Sequence, residues 1–329
     1  MRSREASVAL AIVVLAAVLA VIAPGFFSRG NLVDLFLGNL PVLIAAFGAT
    51  LIILTGEIDI SVGSVFAVCS IGAGLVAQAG SPVVVAALAA IVMGAALSSV
   101  NGMLIAFARL PSIVVTLATM VALRDGLRWT MQGAWVENLP GSFQWLGLGQ
   151  AAYPFVACAI AAGAFVMLAW GLRHVAAGRA VYATGSDADA ARLAGFNTAL
   201  VKFSVFAVAG ALTGLAALLN AVRFNQIPSN AGIGLEMKVI AAVVVGGVAI
   251  RGGRGTITGT LLGVILLAAI GPALVFLGIS AYWERAVQGA IILTAVGIDA
   301  VRAHREIASA AGRGLKAAAP QGGDSGATT

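Results

Sequence analysis

The sequence predicts an all-α polytopic membrane protein, with about ten transmembrane helices and with broken or short helices around a central pathway. Three observations carry that prediction. Of the 329 residues 60% are hydrophobic and only 10% charged, where a soluble domain carries roughly 25% charged residues. The apolar residues fall in runs of about twenty, the length that spans a hydrocarbon core. The basic residues behind the net charge of +6 stand singly or in pairs between those runs, as membrane-surface anchors do, and form no cluster that would hold a nucleic acid.

Cutting the chain at charges, Pro and Gly gives ten segments, running roughly 7–27, 38–56, 60–79, 83–107, 112–130, 151–172, 203–222, 238–250, 256–276 and 285–301. The first follows Arg2 and Arg4, and its uncharged stretch of 23 residues, Ala6 to Ser28, is longer than a signal-peptide core and reads as a span. Arg2 and Arg4 at one end, and Arg302, Arg305, Arg313 and Lys316 at the other, put both termini in the cytoplasm and make the number of spans even. Six spans before residue 173 put segment 173–202, with Arg173, Arg179, Arg192 and Lys202, on the same side. Ten spans meet all three constraints. The resulting plan is a cytoplasmic N-terminus at 1–6, one membrane domain at 7–301, and a cytoplasmic, largely disordered tail at 302–329. The connection 131–153 is then external, and its Trp135 and Trp145 suit a membrane interface.

Two segments break the pattern. "TGEIDISVGS", Thr55 to Ser64, holds the only charges between Leu35 and Ala108. Segment 238–250 has only twelve uncharged residues between Lys238 and Arg251, too few to span unless its ends snorkel or it is half of a broken helix. It leads into "GGRGTITGTLLGV", which echoes "GEIDISVGSVFAV" at Gly56/Gly252, Gly63/Gly259, Ser64/Thr260 and Val68/Val264. Glycine-interrupted segments in the two halves of a transporter point to its central site, and Ser or Thr can cap the new helix starts. Glu57, Asp59, Ser61, Gly63, Ser64, Asn101, Gly246, Gly247, Thr258 and Thr260 are therefore candidate pathway residues. Two ordinary turns with capped helix starts would give the same pattern, and Asn101 in a span can equally glue helices together.

Segment 178–203 has a different character. Asp187, Asp189, Ala190, Ala191, Arg192 and Leu193 form a helix-favouring run, with Ser186 placed to cap it and Gly195 to stop it. It is either a capped connector or a handle for a cytoplasmic partner.

Several chemistries are missing. There is no G-x-x-x-x-G-K-[ST] phosphate loop, and the lysines are Lys202, Lys238 and Lys316 alone, so the chain hydrolyses no ATP by that route. No H-E-x-x-H or G-x-S-x-G is present. Cys69 and Cys158 lie apart in apolar runs and read as packing residues, with no metal site. No span is expected to carry a basic residue near its centre, and no chain of carboxylates suggests a proton relay. The expectation is a non-enzymatic transport protein with no cofactor of its own.

The colinear stretches "GEIDISVGS", "NGMLIAFARLPSIVVTLAT", "YATGSDADAARLAGF" and "IAAVVVGGVAIRGGRGTITGTLLG" resemble the permease subunits of bacterial ATP-binding-cassette importers for monosaccharides, the ribose-type class, over about residues 35–300. "WTMQGAWVENLP", "NQIPSNAGIGLEMKVIAA" and "AYWERAVQGAIIL" look more like the permeases for rhamnose and for the autoinducer-2 signal. The resemblance implies an inner-membrane permease working by alternating access and paired with a second copy or a sister subunit. It implies a cytoplasmic ATPase that uses ATP and Mg, and a periplasmic sugar-binding protein. It also implies that the stretch around Ala190 to Gly195 contacts the ATPase. A pathway lined by Ser, Thr, Asn and backbone groups would suit a neutral polyol. A permease for branched-chain amino acids, or a cation- or proton-coupled transporter using Glu57 and Asp59, stands as the alternative.

Overall fold

The computed structural model describes residues 2–280 and, beyond them, 282–284, 286–291, 293–294 and 297, with side chains from Glu5 onward. The tail 302–329, with its basic residues, and residues 285, 292, 295–296 and 298–301 of segment 285–301 lie outside the described residues. Eleven α-helices follow in order among those described: α1 (Arg2–Ile22), α2 (Arg29–Leu54), α3 (Val62–Gln78), α4 (Val83–Ala106), α5 (Ser112–Met131), α6 (Tyr153–His174), α7 (Ala176–Ser186), α8 (Ala188–Leu193), α9 (Thr198–Ala221), α10 (Leu235–Val245) and α11 (Ile257–Phe276). A helix satisfies its own backbone in lipid, which is why long apolar runs become helices.

Six of these helices, α1, α2, α4, α6, α9 and α11, are long and apolar enough to cross a membrane. α3 is apolar but has only 17 residues, and α10 has 11. α5 has 20 residues but carries Arg124, Asp125 and Arg128. Arg124 lies twelve residues into that helix, just past its midpoint, within the segment 112–130 that the sequence offers as a span.

α2 forms the centre of the bundle and is almost wholly buried from Leu37 to Leu54. α4 and α9 make the tightest helix pair. Ala86, Ala90, Gly94, Ser98 and Gly102 recur every four residues on one buried face of α4, facing Phe206, Gly210 and Gly214 of α9. A Cβ on Gly94 would lie 2.2 Å from Gly210 O, and one on Gly214 2.1 Å from Ala90 O. Small residues let the two backbones touch, which is how helices associate where no hydrophobic force drives them together. Cys69 is buried, whereas Cys158 is exposed on α6, against the expectation that both pack inside.

The helix ends sort into two groups. At one end, called here the junction end, the α2–α3 linker, the α7–α8 pair and the α10–α11 linker meet. At the other, segment 132–152 folds over the start of segment 222–234. Val136 and Ile227 form an isolated antiparallel bridge there, and the Trp145 N–H donates to Val222 O at 2.6 Å.

Candidate functional site

The junction is built from backbone. The Gly253 N–H donates to Leu54 O, the last helical residue of α2, at 2.9 Å. Gly185, near the end of α7, lies directly on that carbonyl: a Cβ there would fall 1.8 Å from Leu54 O and 2.7 Å from Gly253 N. Gly56 and Gly252, aligned by the sequence echo, meet face to face, since a Cβ on Gly252 would lie 2.7 Å from Gly56 N. Both hold positive φ, +82° and +86°, which favours glycine. The Tyr182 hydroxyl of α7 donates to Gly255 O at 2.8 Å. Burial, and then the Glu5 carboxylate, push that phenol above its ordinary range, so it remains a neutral donor. Lys202 of α9 forms a partly buried ion pair with Glu57. Thr256 caps α11 by accepting from the Gly259 N–H at 2.9 Å, and its hydroxyl contacts Glu5.

The α2–α3 linker turns inward from this end. The Ser61 N–H and hydroxyl both donate to Asp59 Oδ1, at 2.8 and 2.6 Å. Asn101 Nδ2 donates to Ser61 Oγ at 2.9 Å, and Thr119 Oγ1 donates to Asn101 Oδ1 at 2.6 Å. Asp59, Ser61 and Asn101 are buried. Asn101 lies five residues before the end of α4 and Thr119 seven after the start of α5, which puts the network roughly 8–10 Å inside the bundle at 1.5 Å per residue. Ser61 thus caps α3 by position, but its hydroxyl serves Asp59 instead of a helix N–H. Ser64 Oγ donates to Met120 O at 2.8 Å and fastens the first turn of α3 to α5.

A second interruption enters from the opposite end. Ile227 packs where a Cβ on Gly74 would lie, 2.6 Å away, and Gly232 is within 2.5 Å of a Cβ on Gly63. Positions 74 and 63 are about 16 Å apart along α3, so segment 222–234 runs deep into the bundle before α10 begins. Gly232 and Gly234, at φ +72° and +81°, turn it into that helix. Arg124 Nη1 donates to Ala231 O at 2.8 Å. Glu236 Oε1 accepts from the Gly234 N–H at 3.3 Å, while its Oε2 is buried with no hydrogen-bond partner. An oxygen left so costs about 1–3 kcal/mol or more. Beside it is a cavity of about 310 Å³, walled by five residues of α5 from Met120 to Arg128 and by Ile233 and Glu236. Its lining is charged, where Ser, Thr and Asn were expected. Irregular backbone at such depth is tolerated only where protein buries it or a cavity lies beside it.

A family profile described as the permease component of the branched-chain amino acid transport system matches residues 31–296. The chain belongs to this family. It is a permease subunit of an ATP-binding-cassette importer and a multi-pass membrane protein. Among its relatives, the autoinducer 2 import system permease protein LsrC of Salmonella typhi is 37% identical over 303 residues, covering 90% of this chain and 86% of that protein. The protein of the same name from Yersinia pseudotuberculosis strain YPIII is 35% identical over 302 residues, covering 90% and 85%. No solved structure matches.

Of the candidate pathway residues in this permease, Asp59, Ser61 and Asn101 share one network, with Ser64 and Gly63 one turn further on. Gly63 lies against Glu236, where a Cβ would be 2.1 Å from Oε2. The others lie elsewhere. Gly246 sits on Gly259, a Cβ there falling 2.3 Å from Gly259 O, and Gly247 holds φ +91° in the turn after α10. Thr260 is buried, its hydroxyl 2.7 Å from that of Thr50, and Thr258 is exposed. Arg124 and Glu236 were missed. The signal for Arg124 was present: a charge well inside segment 112–130, a candidate span, is a functional-site hypothesis by default.

The run 187–195 forms the short helix α8. Asp187, and not Ser186, is its cap, accepting from the Asp189 and Ala190 N–H groups at 3.0 Å each. Ser186 is instead the last residue of α7. Gly195 ends the helix at φ +89°, Ala191 faces inward, Arg192 pairs with Asp189 on the surface, and Leu193 is 92% exposed.

Proposed function

We propose that this permease passes a small sugar-like solute, of the rhamnose or autoinducer-2 kind, across the inner membrane by alternating access. The observation that carries the proposal is the likeness to autoinducer-2 import permeases over nine-tenths of the chain. In this reading there are ten spans: α1 to α6, α9, α10 together with the irregular segment before it, α11, and the apolar segment 285–301. Both termini and the junction end are then cytoplasmic.

α8 is the docking element for a cytoplasmic ATPase that binds ATP and Mg. Its exposed Leu193 is the apolar contact, flanked by Asp189 and Arg192. α7 connects it directly to the junction, so a push on α8 reaches Leu54 and the Asp59 linker through Gly185 and Gly253. A periplasmic binding protein delivers the solute to the opposite end, and a second copy or a sister permease covers the charged face of α5, which lipid would penalise by about 2.5–3.5 kcal/mol per charge. Glu57 is held by Lys202 and Asp59 by Ser61, which argues against either carboxylate as a coupling-ion site.

The test uses the partner binding protein. Its melting temperature should rise with rhamnose or synthetic autoinducer-2 and not with leucine. A rise with leucine alone would replace the sugar with a branched-chain amino acid.

A further inference from the structure

We propose that the cavity between α5 and the start of α10 is a subsite for a neutral polyol, where Arg124 donates to, and Glu236 accepts from, neighbouring hydroxyls of one sugar. The proposal rests on the transport reading above and gives the permease a substrate site of its own.

Four observations point to such a ligand. The cavity, about 310 Å³, lies at the lower end of the range that holds small ligands. Glu236 lines it, and the Oε2 of that carboxylate is buried against Gly63 with no hydrogen-bond partner, an acceptor that a turn of the side chain would bring to the cavity. Arg124 spends one N–H on Ala231 O and is within electrostatic reach of Glu236, yet it makes no hydrogen bond to that oxygen. The other two charges, Asp125 and Arg128, pair with each other at 3.3 Å on the exposed rim.

The chemistry selects among solutes. A hydroxyl both donates and accepts, so two adjacent hydroxyls can receive from a guanidinium N–H and donate to a carboxylate oxygen at once, without bringing a net charge into the site. The Arg124 and Glu236 charges then remain balanced against each other. A zwitterionic amino acid would have to separate them, placing its carboxylate at Arg124 and its ammonium at Glu236. Gly63 is the third element, because any side chain there would occupy the place of the Glu236 carboxylate. The subsite thus sits at the first turn of α3, next to the buried network that leads back to Asp59, where a sugar would contact both interruptions of the bundle.

The experiment measures binding of tritiated rhamnose, ribose, autoinducer-2 and leucine to the purified full-length permease by scintillation proximity. In parallel, uptake is followed in vesicles holding the complete importer. The wild-type permease should bind the sugar that the vesicles take up. Glu236→Gln should weaken that binding about tenfold or more, the loss expected for a charged acceptor. Ile233→Trp, which fills the cavity from its exposed wall, should abolish it, and melting curves of each variant report that it is folded. Unchanged sugar affinity in folded Glu236→Gln, or binding of leucine in place of sugar, would overturn the polyol subsite. If the vesicles take up sugar while the purified permease binds none, the subsite falls and the transport reading stands. If neither a monosaccharide nor autoinducer-2 is taken up, both fall.

Discussion

The linker between α2 and α3 and the segment before α10 both carry non-helical backbone into the bundle, and they treat their polar groups differently. In the linker, Asp59, Ser61, Asn101 and Thr119 answer one another in a single chain of hydrogen bonds. At segment 222–234, Arg124 satisfies Ala231 O, but just beyond it Glu236, which lines a cavity, keeps its Oε2 buried without a partner. A closed network rigidifies, whereas an unpaired buried polar group is costly and calls for an explanation. The proposals above accordingly make the first interruption a mechanical element joined to the junction, and the second a place that meets the solute.

Substitutions can break this contrast, beginning at the junction, where the largest effect is expected. Gly185→Ala would force a Cβ to 1.8 Å from the Leu54 carbonyl, backbone that cannot yield. A loss of about 3 kcal/mol or more is expected, read as a large drop in melting temperature and in uptake. Gly163→Ala on α6, where a Cβ meets nothing within 4 Å, is the control and should be neutral or slightly stabilising. Asn101→Leu tests the linker network. It keeps the branched heavy-atom shape but strips Ser61 and Thr119 of their partner, and should cost about 2 kcal/mol or more in chemical denaturation.

Smaller effects separate stability from coupling. Lys202→Met removes the partner of Glu57 in a pair that keeps some solvent contact, 24% and 14% exposed, so about 1 kcal/mol is expected. Its ATPase should continue to turn over in the assembled importer while uptake per ATP falls. Leu193→Ser, at a side chain 92% exposed, should shift stability by no more than about 0.5 kcal/mol, yet the ATPase should no longer copurify with the permease. Retained copurification would remove α8 as the docking element.

The helices that sequence reading located well are those set by apolar length. Segment 83–107 is α4, Val83–Ala106, and 256–276 is α11, Ile257–Phe276. The run 187–193 was legible as a helix from its acidic start and Gly195, although the cap moved one residue. The two interruptions were legible only in part. Twelve uncharged residues after Lys238 signalled a half helix, but nothing in "NQIPSNAGIG" itself marks a buried segment, and its descent along α3 depends on Gly74 and Gly63 in another helix. The depth of the Asp59 linker was likewise invisible, because it is fixed by Asn101 and Thr119 on two further helices. The cavity joins Arg124 to Glu236, residues 112 positions apart, and no local pattern connects them.

The most direct test of the account is the energy source for transport. Vesicles containing this permease with its partner permease, ATPase and binding protein are loaded with ATP, and uptake of labelled rhamnose and autoinducer-2 is followed with and without a protonophore. Uptake of one of them that requires ATP and the binding protein, and that survives collapse of the proton gradient, is the expected result. Uptake that proceeds without ATP and stops with the protonophore would contradict the account.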